Sequence, residues 1–149
     1  MSIETLKAQV GQTHPPGEWV EISQAMIDQF ADLTGDHQWI HLDEERCRRE
    51  SPYGSTVAHG MLVQSMIPKL LGENPSWLEG FSAGINYGSD KVRFSAPVRA
   101  GARIRSRWTL KEARDAGKGA VRMVTAITIE IEDEDKPACY AELVGMLYP

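Results

Sequence analysis

Two short stretches of this chain concentrate groups able to move protons or steady charge. The first is Thr34-Gly35-Asp36-His37-Gln38-Trp39-Ile40-His41-Leu42-Asp43, in which Asp36 and His41 lie five residues apart. A carboxylate and an imidazole turned to one point can hold a water, take its proton and return one to carbon. Spacing alone leaves a second reading open, in which Asp36 turns the chain after a helix and His41 is a satisfied polar residue. The other stretch is Ala58-His59-Gly60-Met61, at the start of an apolar run. Unpaired amides and the dipole at a helix start favour a developing negative oxygen, and a glycine lets a ligand approach the backbone closely. Gly60 therefore suits an oxyanion hole. It suits equally a tight contact between the first helical turn and a sheet.

Other chemistry finds less support. His37 and His41 have HxxxH spacing, with Asp36, Asp43 and His59 available as further donors. The stretch does not read as helical and lacks the glutamate of HExxH, so no metal and no cofactor is expected. Asp43 reads as a helix cap. No glycine-rich phosphate loop and no GxSxG elbow occurs. The two cysteines, Cys47 and Cys139, have no CxxC spacing, which suits a reduced, cytoplasmic setting. Cys47 has no evident activating partner and reads as structural.

These residues need elements to hold them. Glu18 to Ile22 suits a short strand. Ser23 caps a helix running to about Leu33, with Met26, Ile27, Phe30 and Leu33 on one face, and Gly35 ends it. Asp36 to Leu42 is expected as a loop, Asp43 as the cap of a charged helix over 44–50, and Ser51 to Ser55 as a second loop. Val57 to about Leu71 reads as one helix, apolar around most of its circumference, that other structure must wrap. Pro68 is expected to kink or shorten its last turn. From Ser82 onward the period changes to two. Val121, Met123, Ile127, Ile129 and Ile131 share one face, and Ile104, Trp108 and Leu110 oppose Arg103, Arg105, Arg107 and Lys111. Asp115 to Lys118 supplies a turn, and Lys136 to Tyr148 a last strand. A buried helix followed by long antiparallel strands predicts an α+β fold with the sheet curled around the helix.

The 149 residues suffice for a single domain over 1–149. A net charge of −5, with acids and bases interspersed, argues against nucleic acid as the main partner. The arginines at 103, 105 and 107 alternate with apolar or small residues, as on the wet face of a strand. Met1 to Gln12 lacks the basic start and apolar run of a signal peptide. The apolar stretch around 57–71 contains His59, Gln64, Pro68 and Lys69, which excludes a membrane span.

Taken together, Phe30 to Asp43 and Val57-Ala58-His59-Gly60-Met61-Leu62 resemble the MaoC-like dehydratase family of (R)-specific enoyl-CoA hydratases. The segment Asn86 to Val98, with Lys91-Val92-Arg93-Phe94-Ser95-Ala96-Pro97, is similar to the nodulation-protein-N-like branch. The resemblance runs from about residue 15 to the end. It implies a single hotdog fold and a homodimer or higher homo-oligomer. The implied substrate is an enoyl-thioester on coenzyme A or acyl carrier protein, hydrated without a cofactor. It places the catalytic pair on Asp36 and His41 and the oxyanion glycine on Gly60. Many relatives have Asn-Pro where this chain has Gln38-Trp39, so the bulk of Trp39 is expected to bear on the acyl pocket. A thioesterase of the same fold, or a binding module that only holds an acyl-thioester, remains as an alternative. Both hydration and hydrolysis need an oxyanion hole and an activated water.

Overall fold

The computed structural model describes residues 2–72 and 78–149. A short helix α1 (Ile3–Ala8) and a two-residue strand β1 (Val20–Glu21) lead into α2 (Gln24–Thr34). Ser23 caps α2 by accepting from the Met26 amide, and Gly35 ends it at φ 78°, in the left-handed region a glycine tolerates. The buried face of α2 centres on Ile27 and Ala31. Leu33, expected on that face, is 84% exposed. A single turn, α3 (Trp39–Leu42), occupies the end of the expected loop, so His41 sits on a helical turn rather than in irregular chain. Asp43 then caps α4 (Glu44–Glu50) as expected, its Oδ1 accepting from the Arg46 amide at 2.9 Å.

The expected helix over 57–71 is two helices, α5 (Gly60–Ser65) and α6 (Ile67–Leu71), meeting at Met66. Its first three residues are extended, and the amides of the first two bond elsewhere. Val57 N–H donates to Ile40 O and Ala58 N–H to Val98 O. Pro68 cannot return a hydrogen bond to the preceding turn, so the ladder ends early and restarts with the proline in the first turn of α6. Nor is the element wrapped all round. Leu62, Val63, Ile67 and Leu70 are buried, whereas Met61 is 59% exposed.

Four long strands follow: β2 (Ala83–Arg93), β3 (Arg103–Gly117), β4 (Ala120–Ile131) and β5 (Cys139–Tyr148). With β1 they form one antiparallel sheet in the order β1-β3-β4-β5-β2. The period-two expectation fits β4, where Val121, Met123, Ile127, Ile129 and Ile131 are all buried, with Thr125 on the same face. The β3–β4 turn falls at Lys118–Gly119, slightly later than the sequence pattern suggests, with Gly117, Lys118 and Gly119 all at positive φ. On the outer face Arg103 pairs with Glu132, and Arg105 and Arg107 both pair with Glu130. The inner face packs Ile104, Ile127, Ile129 and Ala141 against Leu62, Val63, Ile67 and Leu70, so the sheet curls over α5 and α6. A second cluster seats Leu6 of α1 on Leu110, Val121 and Leu147.

Candidate active site

The extended residues ahead of α5 run beside α3 and clamp it. Gln24, at the start of α2, donates to the main-chain carbonyl of His41 at 2.8 Å and accepts from the Thr56 hydroxyl at 2.5 Å. The His41 Nδ1 lies 2.6 Å from Val57 O. A carbonyl only accepts, so Nδ1 carries the proton and Nε2 presents its lone pair. The ring is buried. Burial holds its pKa below the ordinary 6.5, helped by the facing His59 and opposed by the Val57 bond and by Asp36. His41 is therefore a neutral imidazole at neutral pH, with a free basic nitrogen.

Asp36 follows Gly35, and its side chain is 53% exposed. Its Oδ1 lies 3.4 Å from the Gln38 amide, a long turn contact that leaves most of the carboxylate's acceptor capacity unused. His59 completes the group. Its Nε2 donates to the Asp36 main-chain carbonyl at 3.0 Å and lies 4.0 Å from Asp36 Oδ2. Its ring stacks on His41, with centroids 3.7 Å apart and planes 24° from parallel. One donor atom from each of Asp36, His41 and His59 lies within 4.8 Å of the others. These are the residues of this site able to hold a divalent cation, and the same three groups suit a single water.

The structure thus brings Asp36 and His41 together and adds His59, which the sequence reading named only as a possible metal donor and as the neighbour of Gly60. His37 turns away to bond Asp32 Oδ1 at 2.9 Å on the surface, and Asp43 is occupied as a cap. The HxxxH pair therefore does not converge. Cys47 is buried against the carbonyls of Trp39 and Ile40, and burial raises its pKa, as suits a structural thiol.

Gly60 is the first residue of α5, so its amide belongs to the set that helix geometry leaves without an internal acceptor. The helix has only six residues, which makes a local amide a better source of stabilisation than a long-helix dipole. A Cβ on Gly60 would lie 2.9 Å from ring atoms of Phe94, so the close-packing role is present in the geometry as well. A cavity of about 670 Å³ opens at the next residue. Met61, Ile67, Tyr87, Met123, Thr125 and Leu143 contribute to its mostly apolar wall. Trp39 is not among the lining residues. It lies under the Arg46 guanidinium, 4.1 Å from ring centroid to Cζ.

A family model described as a MaoC like domain matches residues 6–132. The chain belongs to the MaoC-like dehydratase family. Among relatives of this family, 3-hydroxyacyl-thioester dehydratase Z of Mycobacterium tuberculosis is 41% identical over 143 residues, covering 96% of this chain and 93% of the relative. Nodulation protein N of Rhizobium leguminosarum bv. viciae is 37% identical over 147 residues, covering 99% and 91%. The solved MaoC-like dehydratase from Rhodospirillum rubrum superposes with a TM-score of 0.75 at 18% identity, covering 93% of this chain and 92% of that one. An (R)-hydratase from A. caviae superposes at 0.69 with 25% identity, covering 94% and 96%. The curled sheet over α5 and α6 is thus the hotdog fold of the MaoC-like hydratases.

Proposed function

We propose that this protein is an (R)-specific enoyl-CoA hydratase, that is, a 3-hydroxyacyl-thioester dehydratase run in either direction. The observation that carries the reading is the buried, neutral His41, whose Nε2 lone pair is left free by the Val57 bond, beside the Asp36 carboxylate. Asp36 and His41 hold one water against the C2–C3 double bond of a trans-2-enoyl-thioester. The water oxygen bonds to C3 while one of its protons passes to the dyad. The π electron pair moves onto the thioester carbonyl, where the Gly60 amide receives the negative charge, a contribution of about 3–4 kcal/mol in comparable oxyanion holes. As the carbonyl re-forms, C2 takes a proton from the dyad and the 3-hydroxyacyl-thioester leaves. General acid/base assistance of this kind is worth roughly 10²–10⁴-fold. The reading is supported by the 41% identical dehydratase relative. The (R) outcome rests on family membership.

The substrate is carried on coenzyme A or acyl carrier protein, and the assembly is a homodimer or larger. Strand β2 is an edge strand of eleven residues, exposed at all but Val92, and its own Ile85 and Tyr87, with Met61 of α5, are uncovered in the single chain. A long open edge with apolar neighbours is stabilised by pairing with a second copy.

Incubation with crotonyl-CoA tests the reaction. The expected result is loss of enoyl-thioester absorbance without thiol release, and an (R)-3-hydroxy product on chiral analysis. Thiol release from saturated acyl-CoA would indicate a thioesterase. An (S) product, or no product across enoyl chain lengths and carriers, would overturn the proposal.

A further inference from the structure

Resting on that reading, we infer that His59 is a positioning residue that locks the catalytic pair. One side chain ties together every part of the proposed machinery. Its Nε2–H holds the main chain of Asp36 at 3.0 Å, and its ring lies flat against His41 at 3.7 Å. Its own backbone leads directly into Gly60. Phe30 of α2 covers it at 5.0 Å, and only 4% of it is exposed.

Two features set His59 apart from a residue chosen for stability. It occupies the N-cap position of α5 yet makes no capping bond there, because the side chain reaches 23 residues upstream to Asp36 instead. Residues at that position ordinarily satisfy the helix's first amides. In addition, Nδ1 is buried with no hydrogen-bond partner among the described residues. An unsatisfied buried acceptor is a cost to the fold, and positions that carry one commonly serve the site. Asp36 sits in an exposed loop with only long turn contacts of its own. The bond from His59 therefore fixes its distance from His41, while the stacked ring keeps the His41 imidazole in the plane that aims Nε2. His59 itself is not asked to touch the substrate.

Three substitutions separate the two contacts. His59→Gln keeps an amide donor able to reach Asp36 O but loses the stack. His59→Phe keeps a flat ring on His41 and loses the donor. His59→Leu loses both. With crotonyl-CoA, kcat is expected to fall about tenfold in each of the first two and about 100-fold in the third, with KM within about threefold of wild type. Wild-type kcat in His59→Leu, or a rise in KM at constant kcat, would overturn the inference. So would kcat losses that merely track loss of thermal stability across the series. A second readout is independent of turnover: long-range ¹H–¹⁵N spectra of the His41 ring. A single Nδ1–H species is expected in wild type, and an averaged pattern in His59→Leu. If wild type fails to hydrate any enoyl-thioester, the functional reading falls while this spectrum still decides the positioning role. An unchanged His41 pattern would show that the Val57 bond alone holds the ring.

Discussion

At the scale of single residues, the proposed chemistry turns on the protonation state of His41 and on the amide of Gly60. Burial depresses the His41 pKa below 6.5, with His59 adding to the effect and the Val57 carbonyl and Asp36 opposing it. The sign follows directly. In the proposed reaction neutral His41 is the active form, so kcat/KM should hold steady through neutrality and fall on acidification, with a midpoint below 6.5. The same depressed pKa makes the stability contribution of neutral His41 complete above 6.5 and lost as pH drops through the folded value. A kcat/KM acid limb centred above 6.5 would contradict this environment. Gly60 combines a first-turn amide, proposed to receive the oxyanion, with a close approach of the Phe94 ring. Gly60→Ala should lower kcat by about 10²-fold. Adding Phe94→Ala removes the ring that a Cβ would strike, so recovery of kcat in the double variant would reduce Gly60 to a packing residue. No recovery is expected.

At the scale of elements, the sequence was legible wherever one face of an element decides its position. Ser23 and Gly35 bracket α2, Asp43 caps α4, and the period-two pattern of β3 and β4 matches their buried faces. The failures have specific causes. The apolar run at 57–71 looks continuous, but hydropathy does not show that Val57 and Ala58 give their amides to Ile40 and Val98, or that the break falls at Met66. Helix α1 is not legible in the sequence, because its only buried side chain is Leu6, which gives no periodic signal over six residues. Asp36, His41 and Gly60 are candidates through motif resemblance more than through spacing. His59 gives no local signal as a partner, because its contacts with Asp36 and His41 join residues 23 and 18 positions apart. One close approach invites a stability test. Gly17 N–H bonds Ser106 O, the Ser106 hydroxyl bonds Leu70 O, and a Cβ on Gly17 would lie 2.8 Å from that same Leu70 carbonyl. Backbone cannot swing aside as a side-chain tip can, so Gly17→Ala should cost about 1–3 kcal/mol in denaturant unfolding. A loss within about 0.5 kcal/mol would show that the N-terminal segment moves freely against α6.

For the whole molecule, the single chain has a short edge at β1 and a long open one at β2, and a 670 Å³ cavity lies between β2 and the α5–α6 pair. Light scattering at low micromolar concentration should therefore give at least a dimer, and charged substitutions at exposed Ile85 and Tyr87 should weaken it. A stable, fully active monomer would contradict that assembly. The central claim is that the Asp36–His41 pair performs the chemistry and is separable from the fold that carries it. Asp36→Asn tests it most directly, because asparagine nearly matches aspartate in shape and still accepts the turn contact from Gln38. It cannot act as a carboxylate base. With a good enoyl-thioester, kcat should fall by about 10²-fold or more while the thermal unfolding midpoint barely moves. A folded Asp36→Asn protein with near wild-type kcat would show that Asp36 only shapes the loop and that the chemistry lies elsewhere.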